Sequence, residues 1–168
     1  MKRASLIALT IVATLMSGSA SAQLGRNGQG PLDINAEDFR YDPGACLAVW
    51  SGKVEATQDQ MRLRADTLNV YSHKGGKACS GDFDRMEASG NVFYVTPELK
   101  ARGDKAVYVV ANDTVTITGR VVVSSDQGVT ETNRLVLNVN TNEAHMGGDG
   151  GQRVRAVIYP GKKSAEKK

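Results

Sequence analysis

The sequence predicts an all-β protein, and two observations carry that prediction. Much of the chain alternates apolar and polar residues with a period of two and is rich in Val, Thr, Ile and Tyr, which is typical of half-buried strands. In addition, Gly52, Gly90 and Gly119 are each followed two places later by Val, within a unit of about 29 residues that returns along the chain. Such a repeat predicts short β units that stack on one another.

A fuller repeat becomes visible when one acidic or Asn position is taken as its anchor. The pattern reads apolar, any, small, anchor, any, apolar, any, apolar, and the anchors are Glu37, Asp66, Asp104 and Asn133. The anchors lie 29, 38 and 29 residues apart, so the second interval contains an insertion of nine residues. At each anchor the inward parity of the strand slips by one residue, which predicts a bulge or bend at the acidic residue.

Strands of the form apolar, Gly, Val run between the anchors and begin at Trp50, Ala88 and Ile117. A unit with two strands cannot bury its apolar face alone, so the copies are expected to stack, each strand pairing with its counterpart one repeat later. This predicts two sheets, one of Gly-Val strands and one of anchor strands. The insertion between Val70 and Gly90 is expected to form a loop outside the stack.

The two ends of the chain are expected to lie outside the β domain. Two basic residues, an apolar run from Ala4 to Met16 and a small-residue stretch have the layout of a secretory signal peptide, predicted over residues 1–22. The apolar run is shorter than the ~20 residues that span a bilayer, which argues against the alternative of a membrane anchor. Residues 23–31 are predicted to be a flexible linker, 32–159 the β domain and 160–168 a disordered basic tail.

Charge and cysteine content narrow the classes of partner. Residues 23–161 hold 15 basic and 17 acidic residues, so the body of the chain lacks the basic footprint of a nucleic-acid-binding protein, and no nucleic acid is expected as a partner. Cys46 and Cys79 would be exported to an oxidising compartment and allow one intramolecular pairing, so a disulfide is predicted; the alternative is two buried thiols. The bridge would pin the insertion to the stack.

Four stretches resemble the LptA/OstA-like family of lipopolysaccharide-transport proteins. They are "INAEDFRYD", "WSGKVEATQDQMRLRADTLNVY", "ASGNVFYVTPELKARGDKAVY" and "ITGRVVVSSDQGVTETNRLVLNV". The resemblance covers about Leu32 to Tyr159 and implies a slightly twisted, V-shaped β-jellyroll of stacked antiparallel strands whose interior shelters the acyl chains of lipid A. It also implies a periplasmic bridge between a single-span inner-membrane partner and an outer-membrane barrel partner.

The chain departs from the pattern of that family in three places. It carries the nine-residue insertion and the cysteine pair, and its fourth copy is degenerate. In that copy Met146, Gly147 and Gly148 replace the apolar-Gly-Val strand.

The candidate binding residues are the inward-facing apolar side chains. Composition alone favours a closed core, since two facing sheets lie ~10 Å apart when their side chains interdigitate, whereas the resemblance implies a groove. Each acyl methylene removed from water is worth ~0.8 kcal/mol, so a lipid with several chains gains strongly in a groove that leaves its charged head at the rim. The predicted lipid-binding residues are Ile34, Phe39, Trp50, Val54, Leu63, Leu68, Val70, Val92, Leu99, Val115, Ile117, Val121, Val123, Leu135, Leu137 and Val139.

The first and last rungs are predicted to be open sheet edges. The stretches Ile34 to Tyr41 and Arg153 to Tyr159 can accept a strand from a partner by β-augmentation. The same contact between copies of this chain predicts head-to-tail self-association that can extend as a filament.

No catalytic residue, metal site or cofactor is predicted, and the chain is expected not to be an enzyme. His73 and His145 lack companions at ligand spacing, and no phosphate loop, dinucleotide fingerprint or nucleophile elbow occurs. The alternative function is a secreted β-solenoid that binds or cleaves polysaccharide, which would need an exposed row of aromatic or carboxylate side chains. A third alternative is a periplasmic scaffold with a closed core.

Overall fold

The computed structural model describes residues 30–75, 78–147 and 153–160, apart from the side chain of Ser80. The predicted signal peptide, residues 23–29 of the linker and residues 161–168 of the tail lie outside the described residues. The described residues form ten strands in one antiparallel sheet and one 3-10 turn, Val110–Asn112. The strands are β1 (Asp33–Asn35), β2 (Asp38–Asp42), β3 (Leu47–Gln58), β4 (Met61–Gly75), β5 (Ala78–Val95), β6 (Leu99–Val109), β7 (Thr114–Ser125), β8 (Gly128–Asn138), β9 (Ala144–Gly147) and β10 (Arg155–Ile158).

The six long strands, β3 to β8, pair in chain order, while β1 and β2 both pair with β3 and β9 and β10 both pair with β8. The prediction that each strand pairs with its counterpart one repeat later, in two separate sheets, is therefore wrong. Short turns such as the one between Gln58 and Met61 place consecutive strands side by side and antiparallel. Gly-Val strands and anchor strands alternate across a single sheet.

A line of β-bulges crosses the sheet through all six long strands. In each bulge two residues that begin with the repeat glycine face a single residue of the next strand, so that Gly52 and Lys53 lie opposite Asp66. The same two-to-one arrangement recurs in β5, between Ser89 and Val92, and in β7, between Thr118 and Val121. The extra residue thus lies on the glycine strand, which corrects the prediction that the bulge is at the acidic residue.

The glycines of this bulge line are required by their backbone and by their neighbours. Gly90 has φ +75° and Gly119 has φ +98°, in the left-handed region that disfavours other residues. A Cβ at Gly90 would collide with the carboxylate of Asp66, and one at Gly119 would collide with that of Asp104. Each anchor acid therefore packs on the glycine of the following strand, which explains why the two motifs recur together.

Because a bulge bends its strand, this line divides the sheet into two facing parts. Wall 1 consists of β1, β10 and residues 54–58, 61–65, 92–95, 99–103, 121–125 and 128–132. Wall 2 consists of β2, β9 and residues 47–51, 67–75, 78–89, 105–109, 114–118 and 134–138. Buried side chains of both walls form one hydrophobic cluster between them.

The insertion is a continuation of two strands rather than the predicted loop. Pairing of β4 with β5 runs on from Tyr71–Arg85 to Gly75–Ala78, with two register shifts. The inserted residues pair because the backbone groups of the two strands satisfy one another there, as they would not in a loop. The predicted disulfide between Cys46 and Cys79 is confirmed.

Candidate functional site

The candidate site is the apolar interior between the walls, and it is built from rows of paired residues. Cross-strand pairing aligns inward side chains of wall 2 from edge to edge, because each member of a row is the register partner of the next. The first row of wall 2 is Phe39, Trp50, Leu68, Ala88, Ala106, Ile117, Leu135 and Met146. The second row is Tyr41, Ala48, Val70, Met86, Tyr108, Val115, Leu137 and Ala144.

Wall 1 contributes one such row near its rim. The last two members of this row, on β8 and β10, are less apolar than the others. The row is Ile34, Ala56, Leu63, Tyr94, Ala101, Val123, Thr130 and Ala156. A shorter set beside the bulges, which includes Val54, Val92 and Val121, packs against the same cluster. The interior is therefore apolar along the whole series of strands.

The predicted lining residues lie in this interior, with one exposed at its end. Twelve of them are buried: Val54, Leu63, Leu68, Val70, Val92, Val115, Ile117, Val121, Val123, Leu135, Leu137 and Val139. Ile34, Trp50 and Leu99 are half-buried and pack on the same cluster. The middle of the interior is thus closed by its own side chains, and the assignment of these residues to lipid binding stays a prediction.

Phe39 differs from the other predicted lining residues because 56% of it is exposed. Its ring lies 4.9 Å from that of Trp50, its register partner on β3, so it belongs to the inner row. It is exposed because β2 is an edge strand, and no further strand of the described residues covers it.

Sequence reasoning missed the small and the amphipathic members of the interior. Ala88, Ala106, Met86, Tyr94 and Tyr108 are all buried there. Continuing the period of two from Val92 reaches Tyr94, and the anchor pattern itself contains Ala106, so the signal was present. Tyrosine has an intermediate preference for burial, so the residue type alone does not distinguish an inward tyrosine from an outward one.

Two buried tyrosines, one on each wall, have raised pKa values. Burial raises the pKa of Tyr94, on wall 1, to about 12, with a smaller contribution from the charge of Glu98. Burial also raises the pKa of Tyr108, on wall 2, aided by its hydrogen bond to Asp113 and by the charge of Tyr94. Both phenols are neutral at physiological pH, which suits an interior that excludes water.

The predicted edges lie at opposite ends of the sheet. The stretch Ile34 to Tyr41 provides β1 and β2, and the last rung provides β10, beside β9. Among the described residues the exposed large apolar side chains are Phe39, Tyr41, Phe93, Val154, Val157, Ile158 and Tyr159. All but Phe93 belong to these end rungs, so apolar surface is concentrated where a partner strand would add.

The described residues contain neither a metal-binding cluster nor a membrane-crossing helix. No group of three or more His, Cys, Asp or Glu side chains in that part of the chain is placed to hold a metal ion. None of its helices has the length and apolar character that crossing a membrane requires.

Comparison with known proteins identifies the family. The sequence profile described as LptA/(LptD N-terminal domain) LPS transport protein matches residues 33–143. The chain belongs to this family. An uncharacterized protein of Rhizobium meliloti (strain 1021) is 30% identical over 161 residues, which are 94% of this chain and 86% of that protein.

A solved structure of the LptA type has a similar fold. It is the crystal structure of LptH, described as the LptA homologous periplasmic component of the conserved lipopolysaccharide transport device from Pseudomonas aeruginosa. The two chains superpose with a TM-score of 0.68 at 21% sequence identity, over 80% of this chain and 99% of that chain. The predicted family and the predicted β-jellyroll are both confirmed.

Proposed function

We propose that this chain is a periplasmic lipopolysaccharide carrier that holds the acyl chains of lipid A between its two walls and bridges the inner- and outer-membrane transport components. One observation carries the proposal: the inner rows of apolar side chains continue from one sheet edge to the other and become exposed at Phe39 and Tyr41. An apolar track of this kind is suited to hydrocarbon chains.

Entry of a lipid requires the walls to separate, and the bonding pattern supports such a movement. The strand ladders of the described residues join neighbours within one wall. The contacts between the walls are mainly those of the apolar cluster, with a hydrogen bond beside the bulge line in which the Thr132 hydroxyl donates to Gly147 O at 3.0 Å. Opening the interior therefore breaks few hydrogen bonds. Acyl chains then replace the lost wall-to-wall contacts, and each methylene buried contributes ~0.8 kcal/mol.

The open edges support the bridging part of the proposal. A strand from a partner can add to β1 or β2 at one end and to β10 or β9 at the other. Pairing β1 with β10 and β2 with β9 would continue each wall into the same wall of the next molecule and so align the interiors. We propose that these ends meet the single-span inner-membrane partner, the outer-membrane barrel partner and further copies of this chain. No catalytic residue is assigned, because carriage forms and breaks no covalent bond.

The proposal can be tested with a photo-crosslinking residue placed on the inward or on the outward face of β7 and β8. Val121 and Leu137 are buried and face inward, whereas their chain neighbours Val122 and Val136 face outward on the same strands. In cells, we expect lipopolysaccharide adducts from the two inward positions and not from the matched outward ones. Adducts from the outward positions alone, in folded protein, would exclude carriage between the walls.

A further inference from the structure

Among the described residues, Phe93 is the large exposed apolar residue that does not belong to an end rung of the sheet. Its exposed fraction is 46%. It lies on the outer face of wall 1, near the C-terminal end of β5, which is a central strand away from both sheet edges. An exposed apolar patch rimmed by polar residues marks a binding site, and Phe93 forms such a patch together with Val95 on the same strand face. The neighbours of Phe93 across the strands are charged.

Four cations flank a short apolar strip on this face. Phe93 is the register partner of Arg64 on one side and Arg102 on the other. Val95 is in the same way placed between Arg62 and Lys100. Because neighbouring strands lie ~4.8 Å apart, the two pairs of cations are separated by roughly 10 Å across the strip.

A cleft of about 700 Å³ opens over this strip. Arg62, Arg64, Phe93, Val95 and Lys100 line it, and the turn between β3 and β4 completes its wall. The Arg102 guanidinium carbon lies 5.9 Å from the centre of the Phe93 ring. The cleft therefore combines an aromatic surface with cations on both sides.

The nearby carboxylates only partly balance these cations. Glu55 Oε1 forms ion pairs with Arg62 Nε at 3.1 Å and with Arg64 Nε at 3.5 Å, so one carboxylate is shared by two guanidinium groups. Asp59 also lines the cleft. Four cations thus face two carboxylates, and an anionic ligand would complement the remaining positive charge.

The cleft adjoins the apolar interior at one residue. Met61, at the start of β4, lines the cleft and is also a buried member of the cluster between the walls. A molecule with apolar chains inside wall 1 and a polar head over its rim would therefore meet the cleft with that head.

We infer that the cleft binds the phosphorylated sugar head of the lipid whose acyl chains lie between the walls, with a sugar ring on Phe93 and phosphates beside the cations of β4 and β6. The inference rests on the proposed carrier function. Sugars present a C–H face that packs on aromatic rings, while Arg and Lys recognise phosphate by charge-assisted hydrogen bonds. An uncharged sugar would not complement the positive charge that the nearby carboxylates leave unbalanced.

The test compares phosphorylated lipid A with the same lipid after enzymatic removal of its phosphates, using the exported chain. The double variant Arg62→Gln/Arg64→Gln removes one side of the cleft. Its matched control is Arg85→Gln/Lys105→Gln on wall 2, where the two cations likewise share one carboxylate, Glu87. We expect the cleft variant to bind phosphorylated lipid A about tenfold more weakly and the control to bind it unchanged.

The dephosphorylated lipid separates this inference from the carrier function itself. Its binding should be the same for the parent chain and both variants, because only the acyl chains contribute. If the parent chain binds neither lipid, carriage between the walls is wrong. If it binds both equally, or if the cleft variant weakens both equally, the carrier function stands and the cleft is not a phosphate site. A Phe93→Ala variant should weaken binding of the phosphorylated lipid at unchanged salt dependence.

Discussion

The rims of the two walls, where the strands turn, are held together in different ways. On wall 2 the turn before β3 is bonded to the β4–β5 hairpin: the disulfide joins Cys46 to Cys79, and Ser72 N–H donates to Cys46 O at 2.9 Å. On wall 1 the turns bond within themselves or to a terminal segment, as where Gln58 donates to Gly30 O and Tyr159 N–H donates to Gln127 O.

A second set of bonds on wall 2 ties the turn after β6 to the turn after β8. Asp113 is at its centre: Tyr108 donates to one carboxylate oxygen at 3.0 Å, Asn140 donates to the other, and Val139 N–H donates to the Asp113 carbonyl at 2.8 Å. Wall 2 is therefore a braced surface. If the walls separate, wall 1 is the part that should move.

Removal of the disulfide is expected to have the largest effect on the difference between the two rims. Cys46→Ser/Cys79→Ser opens a bridge with a sequence separation of 33 residues, for which the chain-entropy account gives roughly 3 to 4 kcal/mol of unfolding free energy. Urea denaturation measures the loss, and hydrogen exchange should show the β4–β5 hairpin becoming as weakly protected as the turns of wall 1. Reductant should lower the stability of the parent chain but not that of the variant. An unchanged exchange pattern would mean that the bridge does not brace wall 2.

The bulge line belongs to both walls, so a change there should affect them equally. Gly119→Ala places a Cβ against the Asp104 carboxylate at φ +98°, and we expect about 2 to 3 kcal/mol of destabilisation by urea denaturation. Gly81→Ala is the matched control, because a Cβ at Gly81 meets nothing within 4 Å. It should change stability by less than ~0.5 kcal/mol. Equal effects at the two glycines would contradict the role given to the bulge line.

The features that follow from local patterning were predicted from the sequence. The period of two identified strands and their inner faces, and the anchor repeat located the bend to within one or two residues of Asp66 and Asp104. The pairing partners were mispredicted, because alternation reports which face a residue occupies and carries no information on which strand lies beside it. The inserted hairpin was mispredicted for the same reason.

Prediction of the candidate site from the sequence was limited in the same way. Inward side chains such as Leu68 and Ile117 could be found by alternation alone. The basic cleft could not, because Arg64, Phe93 and Arg102 are far apart in sequence and become neighbours only through the register of three strands. Single exposed cations give no signal until that register is known.

Ionisation of the facing tyrosines should give the smallest effect, and it reports on the contact between the walls. The pKa of Tyr94 is raised in the folded chain to about 12, chiefly by burial, so the folded state binds this proton more tightly than the unfolded state, where the pKa is ~10. The stabilisation is therefore complete below pH ~10 and is lost as the pH rises towards 12.

Comparison with Tyr94→Phe isolates that contribution from the titration of the lysines. The difference in unfolding free energy between the parent chain and the variant should be constant from about pH 7 to 9 and should fall by about 1 to 2 kcal/mol by about pH 11, measured by urea denaturation. Tyr108→Phe should show the same sign, because burial and Asp113 raise the pKa of Tyr108 as well. A difference that stays flat to high pH would mean that Tyr94 is accessible to water, and hence that wall 1 already stands apart from wall 2 in solution.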